Sequence, residues 1–163
     1  MDSKQVIQDV VATAERICQN YLADLSDADL LVRPVPGANH IAWQLGHLIC
    51  SEYRIANVIT ANKMPPLPAG FMEKYTKDTA KLDEAAAFHV KDEYLRLHKE
   101  QQKAFLNLLR DIPEGELDRP TPDQLKMLGP KQVNLWIMLG MHWLMHAGQW
   151  AVVRRKLGRP VLM

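Results

Sequence analysis

The sequence predicts an all-α fold, a four-helix bundle with long connections between helices 2 and 3 and between helices 3 and 4. Three observations carry this. Four segments of roughly twenty residues have apolar positions at helical spacing. Two stretches rich in proline and glycine separate the later segments. Nothing in the 163 residues shows confident strand-like alternation, an internal repeat or low complexity. A chain of this length is expected to form one domain, 1–163, with room for a sizeable core.

The first helix is capped by Asp2 or Ser3 and runs to about Leu22. Val6, Ile7, Val10, Val11, Ala14, Ile17, Cys18 and Tyr21 fall on one stripe. "LSDADLLVRPVPGAN" breaks that pattern. Ser26 to Asp29 suit a short turn of helix, and Pro34, Pro36 and Gly37 stiffen the approach to the next element. Asn39 is a good N-cap for the second long helix, His40 to about Ala61, with Ile41, Trp43, Leu45, Leu48, Ile49, Tyr53, Ile55, Val58 and Ile59 as apolar positions.

"NKMPPLPAGFMEKYTKD" is a loop, and the charged and alanine-rich residues from Lys74 to Ala87 are expected to include a short helix. A connection this long suits a lid or a pocket wall. The third long helix spans about Val90 to Arg110, with Asp92 and Glu93 at the positive end of its dipole. Tyr94, Leu95, His98, Gln102, Phe105, Leu109 and Ile112 follow one face. "IPEGELDRPTPDQLKMLGPKQV" leads to the last helix, about Lys131 to Leu157, which Gly158 and Pro160 close.

Composition narrows the function classes. Hydrophobic residues make up 47% and charged residues 24%, the profile of an ordinary globular chain. Lys and Arg total 20 against 19 Asp and Glu, so no global field attracts nucleic acid or anionic lipid, and no nucleic-acid partner is expected. Cys18 and Cys50 lie in helical pattern without metal or secretory spacing, and the N-terminus lacks the layout of a signal peptide. A reducing, cytoplasmic setting is therefore expected. Asn134 to Val153 contains no Asp, Glu, Lys or Arg and is followed by "RRK", which raises the question of a membrane helix. Asn134, His142, His146 and Gln149 would be costly in lipid, so a buried bundle helix is the expectation and no membrane partner is assigned.

Within that run, "MHWLMHAGQW" places His142 and His146 one turn apart on one face, the spacing by which a helix offers two imidazoles to one metal ion. Two core histidines that satisfy each other or a carbonyl would look the same. Trp143 occupies the position where a metalloprotease helix carries its glutamate base, so a zincin-type peptidase is not expected. Catalytic zinc sites typically use three protein ligands, and His47, in the apolar stretch "IAWQLGHLIC", is the best third candidate, with Gly46 beside it allowing a close approach. His40 lies two turns earlier, about 10 Å along the helix, and belongs near the helix entry, where it could line the mouth of a pocket. His98 reads as a core histidine or, less favoured, a pocket wall, and His89 as solvated. Cys50 is a less favoured fourth ligand whose commoner role is a small buried hydrophobe.

The motifs "PGANHIAWQLGHL" and "HWLMHAGQWAVVRRKLGRP" together resemble the DinB-like (DinB/YfiT) superfamily of four-helix-bundle metalloenzymes. The likeness covers essentially the whole chain except Asn62 to Lys91, which carries no matching motif. It implies that His47, His142 and His146 form a metal-binding triad for zinc or nickel with open positions for water or substrate. It further implies a homodimer, and for some relatives a transferase activity on low-molecular-weight thiols.

Three neutral histidines leave an ion its full charge, and an open position makes a bound thiol or water more acidic. The expected function is a metal-dependent thiol S-transferase acting on a small thiol and an electrophile, with a hydrolase as a variant of the same site. The alternative is a non-catalytic metal- or small-ligand-binding stress-response protein. Gln149 could orient a ligand histidine or a water, or simply pack, since Gly148 suggests close helix contact. Arg154 and Arg155 could meet an anionic group, though complementing the helix dipole is the plainer role.

Overall fold

Asp2 starts the first helix, its carboxylate accepting the backbone N–H of Lys4 at 3.0 Å. In this computed structural model, which describes residues 2–113 and 115–161, α1 covers Ser3–Leu22 and buries Ile7, Val11, Ala14, Cys18, Tyr21 and Leu22. Ser26 and Asp29 form a reciprocal capping box around the single turn α2, Asp27–Leu30. The other helices are α3 (Ile41–Thr60), α4 (Lys91–Asp111) and α5 (Gln132–Lys156). Among the described residues no strand forms; Pro120 and Lys131 make one isolated antiparallel bridge. The predicted all-α bundle with two long connections is the architecture observed.

Local chemistry corrects the expected start of α3. His40, not Asn39, is the N-cap: its Nδ1 accepts the backbone N–H of Trp43 at 3.1 Å. Its Nε2 faces the Leu82 carbonyl at 3.1 Å, so the proton sits on Nε2 and both ring nitrogens are used. His40 is thus a buried structural residue rather than part of a pocket mouth.

The connection after α3, where a short helix was expected, holds three short 3-10 helices, Met72–Tyr75, Thr79–Lys81 and Ala85–Ala87, rather than one continuous helix. The reason lies in its carbonyls. Arg33 Nη2 donates to Ala80 O and Leu82 O, both at 3.0 Å, and His40 takes Leu82 O as well. A continuous helix would need those acceptors internally. His89, expected in solvent, is tied down through Nδ1 to Tyr75 Oη at 2.6 Å, while Tyr75 Oη donates to Tyr94 Oη at 2.8 Å.

Contacts run α1 on α5, α5 on α3 and α3 on α4, with α1 touching α4 only lightly, so the order around the bundle is α1, α5, α3, α4. α5 lies between α1 and α3, which explains its charge-free run: protein neighbours, not lipid, cover two of its sides. Among the described residues no helix is long and apolar enough to cross a membrane.

The long connection is a wall, not a tail. Tyr75 is buried with its ring flat against the bare Cα of Gly46, where a methyl group would overlap the ring. Gly46 therefore admits a loop side chain rather than the neighbouring helix expected from sequence. Gly46→Ala should lower stability by about 1–3 kcal/mol through this overpacking. Urea unfolding checks it; an unchanged midpoint would show that the ring moves aside at no cost.

Candidate metal centre

His142 and His146 stand on successive turns of α5 with ring centroids 4.9 Å apart, and His47 of α3 faces both, at 5.3 and 5.5 Å. One nitrogen from each ring lies within 4.8 Å of the other two, and each residue is half-buried. Among the described residues no other group of three or more His, Cys, Asp or Glu side chains comes together in this way. Cys50 stays outside the group as a buried thiol, pushed up to about 11 chiefly by burial. His98 packs against Trp143 at a centroid distance of 3.9 Å, away from the group.

Each ring is held by a different device. His47 stacks on Trp43, with centroids 5.0 Å apart and planes within 9° of parallel. Trp43 is itself anchored by its indole N–H, which donates to Thr76 O and Thr79 Oγ1 at 3.2 Å. The connection after α3 thus fixes the orientation of His47 at one remove. His146 Nδ1 donates to Gln44 Oε1 at 2.9 Å.

That assignment is forced. Trp150 Nε1, which can only donate, also reaches Gln44 Oε1, at 2.8 Å, while Gln44 Nε2 donates to Asn39 O at 2.7 Å and to Gln149 Oε1 at 3.2 Å. The amide can have only one orientation, so His146 carries its proton on Nδ1 and keeps the Nε2 lone pair free.

Gln44 is the residue sequence reasoning missed. Its signal was present, a glutamine in an apolar run three residues before His47 and therefore on the same face; the structure shows it fully buried. Gln149 acts through Gln44 instead of touching a ring. Gly148 faces open space, so the close packing expected there does not occur. Arg154 is fully buried, its guanidinium paired with the Asp24 carboxylate just beyond the end of α1.

Burial dominates the electrostatics. It holds His47 below the usual histidine range, with Arg54 adding to the effect. His142 and His146 are pushed down to about 4, by burial first and by their neighbouring imidazoles second. At neutral pH all three rings are uncharged, and three neutral nitrogen donors converge with no carboxylate in the group. A donor set of this kind fits a divalent ion of intermediate softness.

If Gln44 sets the tautomer and angle of a ligand, Gln44→Leu should weaken metal affinity about 10–100-fold with the helices intact. Competition against a chromogenic chelator measures this. Wild-type affinity in the variant would mean the amide serves the core alone.

Fold and cluster define a class: a helical bundle that presents three imidazoles from two facing helices. The model of the DinB superfamily matches residues 12–149, a span that contains all three histidines, and the chain belongs to that superfamily. Among solved structures it is similar to the one described as the crystal structure of the conserved protein of locus from Enterococcus faecalis. The TM-score is 0.73 at 19% identity, over 98% of this chain and 99% of that one, a likeness of fold. No curated protein matches the chain.

Proposed function

We propose that His47, His142 and His146 hold a divalent metal ion, zinc or nickel, and that the protein is a metal-dependent thiol S-transferase. The observation that carries this reading is the approach of three neutral imidazole nitrogens to within 4.8 Å of one another. A bound ion supplies Lewis acidity, which makes a coordinated thiol or water more acidic near neutral pH.

The chain's own residues supply position and dryness. Gln44 keeps the His146 proton on Nδ1 and its lone pair toward the cluster. Trp43 walls the His47 side, and Trp150 seals the buried side of Gln44. No side-chain carboxylate joins the described cluster, so a substrate thiol would lose its proton to solvent rather than to a built-in base. The homodimer implied by the family resemblance belongs to the same reading, and sedimentation equilibrium tests it.

A panel of low-molecular-weight thiols and electrophiles, supplied to the metal-loaded protein, tests the catalytic reading. Thiol-dependent consumption of an electrophile that disappears in His142→Ala supports it. No turnover, with a metal that exogenous thiol cannot reach, supports the second reading, a non-catalytic metal- or small-ligand-binding protein. The half-burial of the three rings favours the first, because a storage site gains from full enclosure.

A further inference from the structure

On the other side of the bundle, where α1 and α4 touch only lightly, a cleft of about 160 Å³ opens between Cys18, Leu22, Leu95 and Trp143, with Glu15 and His98 at its inner end. Glu15, His98 and Trp143 also line an inner recess of about 10 Å³, room for one water-sized group, together with Glu52 and Gln102. None of these residues belongs to the three-histidine cluster.

The recess is lined mostly by apolar side chains, and the few polar groups among them are poorly partnered. Glu52 is only 5% exposed, yet among the described residues its carboxylate accepts one hydrogen bond, from Trp143 Nε1 at 3.3 Å. A buried carboxylate can accept about four and is costly without them. His98 Nδ1 lies 3.5 Å from Glu52 Oε2 without making a hydrogen bond and has no other partner. Gln102 as a residue is 7% exposed, and its side chain makes no hydrogen bond to the described residues. Polar groups with unused hydrogen-bonding capacity, Glu52, Gln102 and His98 Nδ1, therefore line the recess beyond the cleft; Glu15, which already accepts from Gln19 Nε2 at 2.9 Å, adds a second carboxylate, and Lys99, the only lysine lining the cleft, is exposed.

We propose that this cleft is a second ligand site, independent of the metal centre, and that it binds a small organic ammonium ion. The head group enters the recess and donates to Glu52 and Gln102. A short hydrocarbon stem lies against Leu22, Leu95 and the Trp143 indole. Charge selects the ligand: a neutral alcohol of the same length can donate one hydrogen bond, whereas an ammonium donates three and neutralises the carboxylate.

The test is a titration of the intact protein with n-propylammonium chloride, followed through the Trp143 indole N–H signal in a proton–nitrogen correlation spectrum. That proton points at Glu52 and is assigned by its loss in Trp143→Phe. The expected result is a saturable shift with propylammonium and at least about tenfold weaker binding of 1-propanol. Glu52→Gln should weaken the ammonium about tenfold or more, and His47→Ala should leave it unchanged.

Leu95→Trp, which fills the outer cleft while leaving Glu52 in place, should abolish binding even if Glu52→Gln folds poorly. A shift that does not saturate, propanol binding as tightly as the amine, or full binding in Leu95→Trp would each overturn the proposal. In that case the recess holds a water or serves only the Glu52–His98 contact.

Discussion

Replacing His47 with alanine is expected to abolish stoichiometric metal binding, weakening affinity by at least about 100-fold, while helix content stays unchanged. The argument is geometric. His142 and His146 come from one helix and form a pair; only His47 brings a donor from the facing helix, within 4.8 Å of both. Two imidazoles rarely hold zinc alone. The fold should tolerate the change, because His47 is half-buried and makes a stacking contact with Trp43 rather than a hydrogen bond that anchors the core. Metal content after dialysis against a weak chelator, with circular dichroism on the same sample, reads both halves. Full metal retention would mean that α5 and some other residue hold the ion.

The second large effect concerns stability. Arg154→Ala should cost about 3 kcal/mol. The guanidinium is fully buried and ties three parts of the chain together. It donates to Tyr21 O at 2.8 Å, to Pro160 O at 2.7 Å and to the Asp24 carboxylate at 3.1 Å. Its loss takes the donor from the buried Tyr21 carbonyl and empties the space between the ends of α1 and α5. A change of under about 0.5 kcal/mol in urea unfolding, the scale of an ordinary surface substitution, would show that this knot contributes little.

The same contact sets an acid limit. Hydrogen bonding to Arg154, reinforced by its charge, holds the Asp24 carboxyl down to about 2, below the ordinary value of 3.8. A folded-state value below the unfolded one gives stability that is complete above the unfolded value and is lost as pH falls through the folded one. Acid unfolding should therefore weaken the protein between about pH 4 and pH 2, and Asp24→Asn should flatten that part of the profile. An identical acid profile in the variant would assign the loss to other carboxylates.

Much of the fold was legible because it is periodic. The apolar stripe from Val6 to Tyr21 and the capping Ser26 are local signals, and the helices they mark end within a residue or two of expectation. His47, His142 and His146 were legible as candidates for a similar reason: spacing on α5, and an imidazole in apolar surroundings on α3.

What sequence could not supply were partners distant along the chain. Gln44 and His146 are 102 residues apart, and Arg154 and Asp24 are 130 apart; no local pattern encodes either meeting. The cap of α3 was misassigned because asparagine outranks histidine in intrinsic capping preference. Leu82 overrides that preference by holding the His40 tautomer that leaves Nδ1 free to accept. Gly148 looked like a packing residue, but the contact that needs a glycine on α5 falls at Gly140, where an added methyl would crowd Val10 of α1.

The most direct measurement is X-ray absorption at the edge of the metal that accompanies protein purified without an affinity tag, with elemental analysis of the same sample. The expected result is about one divalent ion per chain, with three imidazoles in its first shell and only nitrogen or oxygen donors. A sulfur donor would bring Cys50 into the site, and a shell with fewer than three imidazoles, or no bound metal, would contradict a three-histidine metal centre.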